Sequence, residues 1–292
     1  MNNYKYYKID AFSSNGSLGN PAACLYLKNE QSITENEMLE IAKQHQGFVS
    51  EVIYCEQEKT NIKLTYYSSE CEVDFCGHGT IACMYHLIKQ TPSLLTEDEI
   101  TILTNKKGKL TVYNKIKEQD AVFITAPTPV YLGTSLSVSK VSSILNIAST
   151  KVNTDLPIDI IDSGLQTLIV PIIDLKTEIS VSPDESKLKD FCEENNIDII
   201  LLFSKEVSNS TNIAHTRVFA PKFGYLEDPA TGSGNSTFGY YMLKNKLWDG
   251  SECCIEQGKE NTIYNVIHLS TIEDKILFGG SANIKISGTY HQ

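Results

Sequence analysis

The sequence predicts a mainly antiparallel sheet protein in two repeated halves, each with a helix behind a glycine turn. Three observations carry that reading. The chain has 292 residues, more than a single core of about 250 residues holds, so two modest domains are expected. The strand runs at 100–104 and 109–113 follow one another without an intervening helix, which favours an antiparallel sheet over a doubly wound one. Finally, Cys76-Gly77-His78-Gly79-Thr80 aligns with Thr231-Gly232-Ser233-Gly234-Asn235, 155 positions later. Self-similarity at about half the chain length, each copy behind an acidic turn, is the signature of an internal duplication.

The elements follow in order. Residues 4–12 read as a strand, and 13–21 (SSNGSLGNP) as a polar turn into a strand or short buried segment at 22–27. Thr34-Glu35-Asn36-Glu37 before Met38, Leu39, Ile41 and Ala42 is a capping box opening a helix. Residues 48–54 and 62–67 have the pattern of strands. Residues 81–88 are apolar almost all round, which marks a helix buried on every side. The runs 100–104 and 109–113 flank Asn105-Lys106-Lys107-Gly108, a hairpin signal. Two prolines in Ala126-Pro127-Thr128-Pro129 favour extended backbone and suggest a linker. Beyond it, 168–173 reads as a strand, 182–195 as a helix, 199–203 as a buried strand and 238–248 as a helix. The expected domains are 1–125, completed by a C-terminal strand at 277–292, and 126–276.

Composition narrows the function. The chain is 41% hydrophobic and 21% charged, ordinary for a globular protein, with a net charge of −11. Surplus acid argues against a general nucleic-acid or anionic-membrane partner. The first ten residues show no apolar signal region, and no apolar run approaches a membrane span of about 20 residues, so a cytoplasmic protein is expected. Eight cysteines include no C-x-x-C pair, and disulfides are rare in a reducing cytosol. They read mostly as small buried hydrophobes, and no metal is expected. Arg217 is the single arginine; it suits either a site where a planar fork matters or an ordinary surface salt bridge.

A Gly-x-Gly at a helix start lets backbone approach a ligand, and free N–H groups with the helix dipole favour an anion. Two such turns facing one another would hold a small carboxylate-bearing metabolite. No glycine precedes Lys-Ser or Lys-Thr, which excludes a nucleotide P-loop. Gly77-x-Gly79-x-x-Ala82 fits a dinucleotide pattern with Glu97, Asp98 and Glu99 downstream. A hairpin follows instead of a parallel strand, so that reading is set aside.

Asp10-Ala11-Phe12, Gly19-Asn20-Pro21-Ala22-Ala23, Ser50-Glu51, Cys76-Gly77-His78-Gly79-Thr80, Arg217-Val218-Phe219-Ala220-Pro221 and Glu227-Asp228-Pro229-Ala230-Thr231-Gly232-Ser233-Gly234 occur in that order. Together they resemble the PhzF-like (phenazine biosynthesis-like) isomerases, relatives of diaminopimelate epimerase. The resemblance implies an α+β fold of two similar domains, each a curled, mostly antiparallel sheet around a central helix, with the active site in the cleft between them. It also implies a homodimer without a cofactor. Glu51 would shuttle the proton, and His78, Asp228 and Ser233 would line the same site. Gly19, Asn20, Cys76, Gly77, Gly79, Thr80, Thr231, Gly232 and Gly234 would contact the substrate.

The residues themselves fit these roles. Phe48, Val49, Val52 and Ile53 surround Glu51 with apolar neighbours, a setting that suits a carboxyl proton shuttle. His78 would polarise a substrate carbonyl or bond its own loop, Asp228 would cap a helix or orient His78, and Ser233 would contact substrate or cap a helix. The first alternative is a two-base racemase or epimerase, whose relatives oppose two cysteines. Here Cys76 is matched by Thr231, and a threonine hydroxyl is a poor base. The second alternative is a binding protein without turnover. Gly-His-Gly and Gly234 depart from the usual family pattern, which leaves the substrate open.

Overall fold

The computed structural model describes residues 3–14, 16–27, 33–58, 61–259 and 263–292. Asn15, inside the expected polar turn, lies outside them. The chain divides into two compact units, Met1–Ile124 with Gly279–Gln292, and Thr125–Phe278. Among the described residues no helix is long and apolar enough to cross a membrane.

The first unit contains β1 (Asn3–Ala11), β2 (Asn20–Leu27), β3 (Glu51–Glu58), β4 (Asn61–Tyr67), β5 (Glu72–Val73), β6 (Glu99–Thr104), β7 (Gly108–Lys115) and β8 (Ala121–Thr125). Its helices are α1 (Glu35–Gln44), α2 (Gly77–Gln90) and the single turn α3 (Ile116–Gln119). The sheet runs C-terminal strand (Ala282–His291), β1, β2, β3, β4, β6, β7, β8. Most pairs are antiparallel, as the uninterrupted strands predict. The exceptions, β2–β3 and β4–β6, are parallel, and each is joined through a helix, the connection a parallel pair requires.

The sheet is covered on both faces. Ala23, Leu25 and Leu27 of β2 pack with Met38, Ile41 and Ala42 of α1. The alternate residue Tyr26 points the other way, its hydroxyl donating to the Cys83 carbonyl of α2 at 3.2 Å. Thr34 forms the expected capping box with Glu37 at the start of α1. In α2 every residue from Gly79 to Ile88 is buried, as the all-round apolar pattern requires.

The second unit contains β9 (Val130–Tyr131), β10 (Asp159–Asp162), β11 (Gln166–Pro171), β12 (Ile199–Ser204), β13 (Ala214–Phe219), β14 (Glu227–Asp228), β15 (Cys253–Gln257), β16 (Asn265–Ile272) and β17 (Lys275–Gly280). Its helices are α4 (Val138–Ile144), α5 (Leu175–Ser180), α6 (Glu185–Glu194) and α7 (Gly232–Lys244). The pairings of the first unit recur one for one. β10–β11 is antiparallel like β1–β2, β11–β12 parallel like β2–β3, and β12–β13 antiparallel like β3–β4. β13–β14 repeats β4–β5, β13–β15 repeats β4–β6, and β15–β16 repeats β6–β7. The two similar domains of the α+β fold are therefore visible strand by strand.

Several boundaries differ from the sequence reading: the strand expected at 277–292 is Ala282–His291, since 277–280 belong to β17, and two other shifts have a clear cause. The helix expected at 238–248 begins at Gly232 and ends at Lys244, because the glycine turn is the helix's own first turn. The strand expected from residue 48 begins at Glu51, since Phe48 and Val49 still donate backbone bonds to His45 at the end of α1.

One close approach fixes the first helix. A Cβ on Gly79 would lie 2.6 Å from Ile53 Cδ1 and 2.8 Å from Cys76 Sγ. The glycine thus admits the protein's own β3 against the helix start. Alanine favours helix over glycine by about 1 kcal/mol, whereas overpacking costs about 1–3 kcal/mol. The clash should win: Gly79→Ala should lose roughly 1 kcal/mol in urea denaturation, and Ile53→Val should restore part of it. A stabilised Gly79→Ala would show that α2 is not pinned against β3.

Candidate active site

The first glycine turn is built from the end of β5. Cys76 has extended backbone (φ −128°, ψ 108°) and caps α2, its sulfur accepting the Gly79 N–H at 3.2 Å. Thr80 donates its N–H to the Cys76 carbonyl at 2.9 Å and its hydroxyl at 2.7 Å. That hydroxyl also meets the Tyr66 hydroxyl at 2.7 Å. Thr80 is fully buried, so it supports the turn from inside the unit and presents nothing to a ligand.

Glu51 opens β3 next to this turn. Its Oε2 lies 3.2 Å from His78 Nε2 and accepts from Cys76 Sγ at 3.7 Å. The Cys76 sulfur is 3.6 Å from His78 Nδ1 and 3.8 Å from Nε2. Glu51, Cys76 and His78 thus form one cluster. The Glu51 and His78 side chains are 21% and 14% exposed, enough to be reached from outside while mostly shielded from water. Asn20 opens the adjoining strand directly after Gly19, and Ala22 of β2 is in register with Glu51. Gly19 has φ +72°, and a Cβ there would sit 2.6 Å from the Ala11 carbonyl oxygen, so a tight turn requires glycine.

The electrostatics separate the three groups. Burial pushes the Cys76 thiol up, and the Glu51 carboxylate pushes the same way, against the opposing pull of His78. Cys76 is a thiol at neutral pH. Burial disfavours the His78 imidazolium, but Cys76 and Glu51 more than offset this, and its pKa lies well above the ordinary histidine range.

The second turn has the same backbone and different chemistry. Thr231 takes the cap position with φ −118° and ψ 101°, but its own side chain does not cap α7. The Thr231 hydroxyl instead donates to Asp228 Oδ2 at 2.5 Å. Thr231, and not Asp228 or Ser233, thus holds the cap position, Ser233 being the second residue of the helix. Among the described residues the Ser233 hydroxyl has no hydrogen-bond partner, whereas its carbonyl accepts from Ser236 and Thr237 at 2.8 and 2.9 Å. A Cβ on Gly234 would lie 3.2 Å from Thr231 and 3.3 Å from Ile199.

Register identifies the counterpart of Glu51. Glu51 precedes Val52, which pairs with Tyr67, which pairs with Glu72 of β5. Ile199 precedes Ile200, which pairs with Phe219, which pairs with Glu227 of β14. The duplicated position thus holds a carboxylate in one unit and an isoleucine in the other.

Sequence reasoning missed the residues that brace the second turn. Gln257 accepts the Thr231 N–H at 2.8 Å and an Asn235 N–H at 2.7 Å, and donates to the Asp228 carbonyl at 2.8 Å. Asn265 donates to the Pro229 carbonyl at 2.7 Å. A lone amide in a strand carries no local signal of such a role. Arg217 is neither a surface salt bridge nor open to a ligand, being 1% exposed. Its fork meets both Glu227 oxygens at 2.8 Å, and its remaining nitrogen donates to the carbonyls of Glu178, Ile179 and Val181 at 2.7–3.1 Å. It ties the residue before Asp228 to the end of α5.

Residues 9–288 match the family model described as phenazine biosynthesis-like protein, and the chain belongs to that family, an isomerase family. The uncharacterized isomerase YfhB of Bacillus subtilis is 26% identical over 293 residues, covering 99% of this chain and 96% of its own. The fold is that of the Bacillus anthracis phenazine biosynthesis protein of the PhzF family (TM-score 0.87, 23% identity, 100% of both chains). A more distant likeness is a hydroxyproline epimerase from Agrobacterium vitis, solved with bound trans-4-hydroxy-L-proline (TM-score 0.61, 10% identity, 99% of this chain and 91% of that one).

Removing one partner of a buried ion pair leaves the other charge uncompensated, at about 3–5 kcal/mol. Because Glu227 is 19% exposed, Glu227→Gln should cost at the lower end, roughly 3 kcal/mol in urea denaturation. Unchanged stability would contradict the structural role given to Arg217.

Proposed function

We propose that this member of the phenazine biosynthesis-like family is a cofactor-independent isomerase that moves a proton on a small carboxylate-bearing metabolite, with Glu51 as its single acid/base. The observation that carries this reading is the asymmetry of the duplicated turns. Glu51 stands 3.2 Å from His78 in the first, and Ile199 holds the matching strand position in the second. One carboxylate, partly exposed beside an imidazole, fits a shuttle in which the same group removes and returns the proton.

In the forward step Glu51 takes a proton from a carbon acidified by a neighbouring unsaturated or carboxyl group. The electron pair moves into that conjugated system, and the carboxylic acid now on Glu51 delivers its proton to a second carbon. Proton and electrons are conserved, so the balance requires no redox partner. His78 holds the carboxylate in position and donates toward the negative charge that develops on the substrate. The family resemblance adds Asp228 and Ser233 to the proposed catalytic residues: the first turn of α7 favours an anion, Ser233 has a hydroxyl to offer it, and the Thr231 hydroxyl bonds the Asp228 carboxyl.

The two-base alternative has weaker support. Burial keeps Cys76 protonated, and the Thr231 hydroxyl is committed to Asp228. A homodimeric, cytoplasmic enzyme without nucleic-acid or membrane partners is part of the same proposal, supported by the family resemblance and the charge of −11.

The test is deuterium incorporation from heavy water into a pool of small carboxylate metabolites, read by mass spectrometry. The wild type should label one compound, and Glu51→Gln should slow labelling by at least about 100-fold, the low end for general acid–base catalysis. Labelling that survives in Glu51→Gln and disappears in Cys76→Ser would make the thiol the base.

A further inference from the structure

The first-turn cluster has a property that proton transfer does not use. Its reactive atoms are a carboxylate oxygen, a thiol sulfur and an imidazole nitrogen, the donor set that borderline and soft divalent ions select. All three lie within 4.8 Å of one another. The edges of the triangle are 3.7 Å from sulfur to oxygen, 3.2 Å from nitrogen to oxygen and 3.8 Å from sulfur to nitrogen. A tetrahedral zinc ion with bonds of about 2.3 Å to sulfur and about 2.05 Å to nitrogen and oxygen sets those edges at about 3.6, 3.3 and 3.6 Å. The cluster therefore matches a zinc tripod to within a few tenths of an ångström before any ion arrives.

Three further observations fit. The ligands come from two elements, β3 and the first turn of α2, which is why no C-x-x-C spacing marks the site. Partial exposure of Glu51 and His78 gives an ion a way in and leaves a fourth coordination position for water. The duplicated turn supplies an internal control, since Ile199, Thr231 and Ser233 stand where Glu51, Cys76 and His78 stand in the first. A single carboxylate is a poor site for magnesium or calcium, which take mainly oxygen ligands.

We propose that Glu51, Cys76 and His78 form a binding site for a thiophilic divalent cation such as zinc, and that its occupancy silences the isomerase. On binding, the sulfur and a ring nitrogen bond the ion, and the protons they carried pass to the buffer. Glu51 exchanges its contact with His78 for the metal and no longer accepts a substrate proton. The binding rests on the geometry alone; the silencing rests on the function proposed above.

The test uses the full chain with the more accessible Cys71, Cys253 and Cys254 replaced by serine, titrated with Co²⁺ and then Zn²⁺. One equivalent of cobalt should bind with a thiolate-to-cobalt charge-transfer absorption that zinc displaces. Cys76→Ser should remove that absorption. Glu51→Gln and His78→Gln should each weaken cobalt binding by at least about 100-fold, since loss of a supporting neighbour alone costs about 10–100-fold. The absence of a charge-transfer band, or a band that survives Cys76→Ser, overturns the site. Because Cys76 also caps α2, His78→Gln is the independent check, and unchanged cobalt affinity there overturns the site as well. Zinc should stop deuterium exchange by the wild type and a chelator should restore it; exchange that continues with zinc bound overturns the silencing. A chain that binds cobalt as described but labels no compound when metal-free would sink the isomerase reading and leave the ion site standing.

Discussion

The candidate site depends on how closely the start of α2 can approach β3. That distance is set by Gly79, where a side chain would collide with Ile53 and with the Cys76 sulfur. Because the helix start lies against the strand, Cys76 and His78 come within 4 Å of Glu51. The same contact lets the Cys76 sulfur take an N–H that would otherwise be unsatisfied at the helix end. Cys76 is thus held by two demands at once, capping the helix and touching the carboxylate. Thr80 and Tyr66 lock the turn from beneath, leaving Glu51 and His78 as the partly exposed members.

Duplication with divergence describes the rest. The two units share strand order, pairing sense and the backbone angles of the helix cap, and they differ in what those positions carry. One turn concentrates a carboxylate, a thiol and an imidazole. The other has an isoleucine, a threonine tied to an aspartate, and a serine with an unengaged hydroxyl. A two-fold repeat that kept the same base in both halves would suit chemistry on opposite faces of one carbon. A repeat with a carboxylate in only one half suits a single group that both takes and gives.

Much of the fold was legible because local signals happened to coincide with tertiary demands. The capping box at Thr34, the hairpin around Lys106-Lys107 and the all-round apolar run at 81–88 each carry their own short-range physics. The repeat of the glycine turns pointed to the second unit before any contact was known. Parallel pairing of β2 with β3 and β4 with β6 was not legible, since pairing sense depends on where a helix returns the chain. Glu51 and its partners were assigned from the family resemblance, and the apolar neighbours of Glu51 supported that assignment. Gln257 and Asn265 were invisible, because their roles rest on contacts with backbone more than twenty residues away. Arg217 stood out by its rarity, yet only burial tells whether a fork holds a ligand or a loop.

The strand that closes the first sheet is made after the whole of the second unit. Ala282–His291 pairs with β1 along its whole length, from Asn3 against His291 to Ala11 against Ala282. During synthesis β1 waits with one edge open while more than 250 further residues emerge, counted from the pairing partners. The second unit is continuous in sequence, so it has all its strands before the first has its edge. Vectorial synthesis normally favours the N-terminal domain; here it favours the later one. Bare strand edges invite pairing with other chains, and the nascent first sheet carries one until residues 282–291 leave the ribosome.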